Sequence, residues 1–264
     1  MMIRISLRAA AVMVTAVAGA LSLTGTAGAS GASARPVPTG PGALTRNPLY
    51  ATGAFESSEC TEPARWADDL DSYRAYLDDL LGCLDRTWRE RFRQAGLRFS
   101  PPKVRYITKS VYTGCGQFVA SYAAALYCPA NTTMWIMLSK EELSDRMGFD
   151  LFTIVAHEYG HHAQDRAGIL AEFERRFRTL SGKRAHDLNR RIELQADCFS
   201  GAFVRSVWNS LGRDRHDWDE QLEEVEGDMW HGKTRNIRYW LTRGWSGRGP
   251  KACDTFSAPA SRVA

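Results

Sequence analysis

The sequence has little of what several protein classes require. Its 264 residues contain no block of basic charge: 34 Lys and Arg stand against 30 Asp and Glu, a formal charge of +4. So balanced a surface carries no nucleic-acid footprint, and no nucleic-acid partner is expected. Beyond the N-terminus no apolar run approaches the ~20 residues that cross a bilayer. No close CxxC pair exists, which argues against a cysteine-held zinc site. No internal repeat is visible, so the chain is not read as a solenoid or propeller. Histidine is scarce, six in all, yet three fall within the stretch "TIVAHEYGHHAQ" at residues 153–164.

What is present fits a globular protein, 44% hydrophobic and 24% charged, long enough to bury a core in one large domain or two small ones. Arg4 and Arg8 precede an apolar stretch from Ala9 to Leu23 and then small residues ending in Ala27, Gly28 and Ala29. This pattern predicts a signal peptide over residues 1–29, hence a secreted chain with no stable membrane span; an uncleaved membrane anchor is the alternative. Removing Arg4 and Arg8 takes the charge from +4 to +2. Residues 30–59, rich in Gly, Pro, Ser and Ala, read as a flexible tether, leaving 60–264 for the folded domain. Cys60, Cys83, Cys115, Cys128, Cys198 and Cys253 all lie beyond the signal segment. An even count in an exported chain suggests disulfides, although six cysteines allow 15 connectivities.

Along the mature chain, Leu70, Tyr73, Leu77, Leu80, Leu81, Leu84 and Trp88 recur at helical spacing, predicting an amphipathic helix over 62–94 closed by Gly96. Pro101 and Pro102 precede "KVRYIT", a strand pattern, and a second strand is expected through Met134 to Leu138. That second strand is a candidate to pair with an extended substrate. The "SKEE" spacing at 139–142 marks a capping box opening a short helix.

The apolar run "FDLFTIVA" leads directly into His157, Glu158 and His161. At 3.6 residues per turn, His157 and His161 differ by about 40° around the axis, so both rings can face one ion. Glu158 lies about 100° away, within reach of a bound water without having to ligate. HExxH alone is weak and needs a third ligand. Gln164 and Ala167 stand where the metzincin extension needs Gly and His, so that template fails. "NRRIELQADCFSGAFVRSVW" instead places Glu193 and Asp197 four apart on one helical face. Glu193 is the candidate third ligand, and Asp197 the candidate acceptor for the free N–H of His157. Gly160 and Ala196 leave room for close packing. His162 is expected to border the cleft or reach solvent, and His186 and His216 to lie at the surface. His231, in a turn before the helical pattern of Ile237, Trp240 and Leu241 that Gly244 is read as ending, is the candidate donor to a developing oxyanion.

The segments "GCGQF", "YCPANTTMWI", "HEYGHHAQ", "ELQADCFSG", "HGKTRNIRYWLTRGW" and "ACDTF" occur in an order that resembles the bacterial putative neutral zinc metallopeptidase family, over about residues 70–257. The resemblance implies a zincin-like α+β domain with an active-site helix, a third-ligand helix and a small sheet. It further implies zinc held by His157, His161 and Glu193, with Glu158 as general base. The expectation is an exported zinc endopeptidase acting on protein or peptide substrates. A noncatalytic secreted module and a zinc amidase of cell-wall peptides are the alternatives. Cys60–Cys83, Cys115–Cys128 and Cys198–Cys253 are the expected disulfides, tying tether to long helix, closing the loop before the second strand, and fastening the C-terminus beside Asp197.

Overall fold

The computed structural model describes residues 34–60, 69–120, 123–138 and 149–264. The expected signal peptide, the start of the long helix and the capping-box helix at Ser139 lie outside the described residues. Within them the fold is α+β, the class expected.

Its longest apolar stripe belongs to α2 (Leu70–Ala95), after the short α1 (Pro41–Thr45). Asp69 caps α2 by accepting from the Ser72 N–H at 2.7 Å, and Gly96 ends it in a left-handed conformation at φ 69° that favours glycine. The stripe buries Leu77, Leu84, Trp88 and Phe92. Trp88 meets Phe55 and Phe199 edge-on, each at 5.1 Å between centroids, an arrangement aromatic quadrupoles favour.

Strands β1 (Lys103–Ile107), β4 (Ala125–Cys128) and β5 (Thr133–Met137) form a sheet in the order β1-β5-β4. β1 runs parallel to β5 and β4 antiparallel to it. β2 (Val111–Tyr112) and β3 (Gln117–Phe118) make a separate hairpin. The strand expected to receive substrate, "TMWIM", is therefore the central one, with both edges already paired. Buried apolar residues on both its faces, Met134 and Ile136 on one and Met137 on the other, suit burial rather than an open edge. The two edges of the sheet belong to β1 and β4.

The helical layer comprises α3 (Phe149–Arg166), α4 (Ile169–Phe177), α5 (Gly182–Val207), α6 (Arg215–Glu224) and α7 (Thr234–Gly247). α5 lies between α3 and α7, and missing side chains set both distances. A Cβ on Gly160 of α3 would sit 3.2 Å from Ala196 Cα on α5. On the other side, a Cβ on Gly244 would overlap the Cys198 carbonyl oxygen, and one on Gly201 the Leu241 carbonyl oxygen. Gly244 thus does not end its helix, which continues to Gly247; it is the point where α7 touches α5.

Residues 34–60 are not a tether. Leu44, Leu49 and Phe55 are buried, and a 3-10 turn spans Pro48–Ala51. The Asn47 side chain donates to Ala43 O and Ala167 O, both at 2.9 Å, and Arg91 donates to Ala54 O at 2.6 Å. Glycine- and proline-rich composition here serves turns in a packed segment. Disulfides join Cys60 to Cys83, Cys115 to Cys128 and Cys198 to Cys253. No described helix is long and apolar enough to cross a membrane.

Candidate metal centre

Two helices supply the centre. His157 and His161 project from α3 toward Glu193 on α5, and the Gly160–Ala196 contact is close enough to bring them together. The two Nε2 atoms lie 3.1 Å apart. Glu193 Oε2 is 3.0 Å from Nε2 of His161 and 3.4 Å from Nε2 of His157. All three side chains are largely buried.

The outer hydrogen bonds decide what the inner atoms are. His157 Nδ1 lies 2.8 Å from Asp197 Oδ1, and His161 Nδ1 lies 2.8 Å from Gln164 Oε1. Gln164 is itself oriented by its Nε2, which donates to Ile192 O at 2.8 Å and to Gln195 Oε1 at 3.2 Å. Each ring therefore donates through Nδ1, and in the neutral tautomer each Nε2 turns a lone pair inward. Two such lone pairs and a carboxylate oxygen converge with no donor between them, an arrangement that repels itself unless a cation joins it. Two imidazole nitrogens and one carboxylate fit zinc with an open coordination position.

Electrostatics point the same way. Burial disfavours a charged His157 ring, but Asp197, Glu193 and Glu158 outweigh it and hold the ring's pKa well above the usual imidazole value. Burial likewise opposes charge on His161, and Glu193 overcomes it. Glu193 would be pushed up by burial, yet the two rings hold it well below the carboxylate range. The pocket is built for positive charge.

Beside these atoms opens a cleft of about 450 Å³, lined among others by His157, Glu158, Asp197, Ser200 and His231. Glu158 Oε2 accepts from the Tyr127 N–H of β4 at 2.7 Å, which ties the carboxylate to the sheet edge. His231 reaches over from the segment before α7. Asp228 holds it there, accepting from the backbone N–H of Trp230 at 2.7 Å, from that of His231 at 2.6 Å and from His231 Nδ1 at 2.9 Å. Its Nε2 stands 3.6 Å from Glu193 Oε2.

The profile of the putative neutral zinc metallopeptidase family matches residues 50–256. The chain belongs to this family. It is 29% identical over 199 residues to YpfJ of Escherichia coli K12, an uncharacterized protein, covering 67% of this chain and 69% of YpfJ. It is 26% identical over 193 residues to the uncharacterized protein Rv2575 of Mycobacterium tuberculosis, covering 61% of this chain and 64% of that protein. No solved structure matches significantly.

In this member of the neutral zinc metallopeptidase family, His162 departs from expectation. It is fully buried, its Nε2 donating to Ser100 O at 2.8 Å and its Nδ1 3.2 Å from the Tyr127 hydroxyl. Burial above all pushes its pKa down to about 4, so the ring is neutral and structural. The 100° step from His161 turns it toward the sheet, where Phe99, Tyr127 and Tyr159 surround it. His216 is exposed as expected, while His186 is half-buried beside Trp230. Sequence reasoning passed over Gln164, Asp228 and Tyr127. The first two had a local signal, each three residues from the histidine it orients; the Tyr127 N–H had none, because its role depends on where β4 packs.

Proposed function

We propose that the protein is an exported, zinc-dependent endopeptidase. The observation that carries this reading is the convergence of His157 Nε2, His161 Nε2 and Glu193 Oε2 at a cleft whose wall also bears Glu158, a carboxylate outside the converging set. When bound, zinc supplies Lewis acidity there, which acidifies water and polarises a peptide carbonyl. Glu158 removes a proton from the water as its oxygen bonds to the carbonyl carbon, and delivers that proton to the amine nitrogen as the C–N bond breaks. Asp197 and Gln164 hold the two ligand rings in the Nδ1–H tautomer. His231, in its cationic form, has an Nε2–H to offer the carbonyl oxygen as that oxygen gains charge, with Asp228 as counter-ion.

Substrate geometry follows from β4. Ala124 O accepts from Met137 N at 2.8 Å, so alternation in the antiparallel pair turns the N–H and C=O of Ala125 outward, beside Glu158. An extended peptide can add to that edge, which suits cleavage within a chain rather than at its end. Export is supported by three disulfides and by the signal-like composition of residues 1–29.

The test is metal analysis and peptide hydrolysis on the purified chain. One zinc per chain is expected; Glu158→Gln should retain it and lose hydrolysis, whereas His161→Ala and Glu193→Ala should lose the metal. Full hydrolysis by Glu158→Gln would overturn the assignment.

A further inference from the structure

The cleft extends past the metal centre along α6, and its charge is one-sided. Among the described residues, Asp150, Glu158, Asp197, Glu224, Glu226 and Asp228 line it and no Lys or Arg does, in a chain that carries more bases than acids. Glu158 and Asp197 are committed to the metal centre, and Asp228 to His231. Asp150 and Glu226 are not: both are exposed at the rim and neither forms an ion pair among the described residues.

A second observation lies at the floor. Gln221 is only 6% exposed and lines the same cleft; its Oε1 is closed to solvent and has no hydrogen-bond donor among the described residues. A buried amide oxygen without a donor costs stability, and a half-turn of the amide that presents this oxygen to a ligand N–H removes that cost. The remaining wall includes Ile154, Ile237 and Leu241. Apolar sides, an acceptor at depth and anionic charge around the rim match a long aliphatic stem ending in a cationic, multiply donating head. A divalent ion matches poorly, since the only described group of metal-spaced ligands is His157, His161 and Glu193.

We propose that this acidic half of the cleft is the specificity subsite of the peptidase, taking a lysine or arginine side chain of the substrate beside the scissile bond. The inference rests on the peptidase reading for its substrate class. It does not rest on it for binding.

Two measurements on the full chain separate the claims. In the first, a mixed peptide library is digested with the wild type and cleavage sites are read by mass spectrometry; a basic residue should recur at one fixed position next to the cut. In the second, the hydrolysis-silent Glu158→Gln chain is titrated with peptides that differ only in lysine against norleucine, followed by fluorescence anisotropy. The lysine peptide should bind at least ~10-fold more tightly at low ionic strength, and the difference should shrink at ~0.5 M salt. The exposed pair Asp150→Asn with Glu226→Gln should remove most of that difference. Gln221→Leu, of similar volume, should reduce it too, with the melting temperature checked in parallel. Equal binding of the two peptides, or cleavage indifferent to basic residues, overturns the subsite and leaves the peptidase reading standing. Selective lysine binding without cleavage of any peptide supports the subsite and overturns the peptidase.

Discussion

At the scale of single residues, the centre depends on groups one bond removed from the metal-facing atoms. Asp197 gives one oxygen to His157, while its other oxygen, Oδ2, is buried without a donor among the described residues. Its negative charge is thus spent almost wholly on the ring, raising the basicity of the inward nitrogen. Asp197→Asn keeps an oxygen acceptor and removes the charge, so zinc affinity should fall by ~10 to 100-fold with little change in melting temperature. Chelator competition measures it, and unchanged affinity would reject this role. His231 calls for a different readout, because its contacts lie at the rim and over half of its bonding partner Asp228 is exposed. His231→Ala should lower kcat by ~100-fold with zinc content and melting temperature preserved. A lowered melting temperature with near-normal turnover would make it a structural residue instead. The pair His157 and His161 was legible in sequence because helical geometry alone fixes their shared face. The direction of His162 was not, since it depends on which flank of α3 meets the sheet.

Among elements, the position of α5 matters most, because it carries Glu193 and Asp197 and is gripped from both sides through glycine. Gly244→Ala would drive a methyl group into the Cys198 carbonyl. The expected cost is about 1–3 kcal/mol or more, together with weakened metal binding as α5 shifts. Gly82 in α2 provides the contrast: a Cβ there meets nothing nearer than the flexible end of Arg86, at 3.5 Å. Gly82→Ala should therefore stabilise, by up to ~1 kcal/mol from helix propensity. Thermal melts of the two variants test the argument together, and equal effects would sink it. Periodicity located Gly244 in a helix but misread it as a terminus, because a glycine that admits a neighbouring backbone and one that ends a helix look alike in sequence.

For the whole molecule, the least legible part was residues 34–60. Leu44, Leu49 and Phe55 are spaced by five and six, which matches neither helical nor strand periodicity, so nothing in the pattern announced that all three are buried. Yet this segment reaches the metal centre through side chains. The Tyr50 hydroxyl donates to Leu44 O at 2.9 Å and accepts from Gln195 Nε2 at 2.7 Å; Gln195 Oε1 in turn accepts from Gln164, which orients His161. Deleting residues 34–57 should consequently do two things. Loss of three buried apolar side chains, at roughly 2 kcal/mol each, should lower the melting temperature by ~10 °C or more for a domain of this size. Freeing Gln195 from Tyr50 should loosen the Gln164–His161 bond and lower zinc affinity by several-fold, on the order of other changes behind a ligand ring. Tyr50→Phe separates the two effects, because it keeps the ring packed while removing the hydroxyl that accepts from Gln195. It should weaken zinc binding with only a small change in melting temperature. If the deletion leaves both zinc affinity and melting temperature unchanged, the segment is a tether after all and the coupling to His161 is absent.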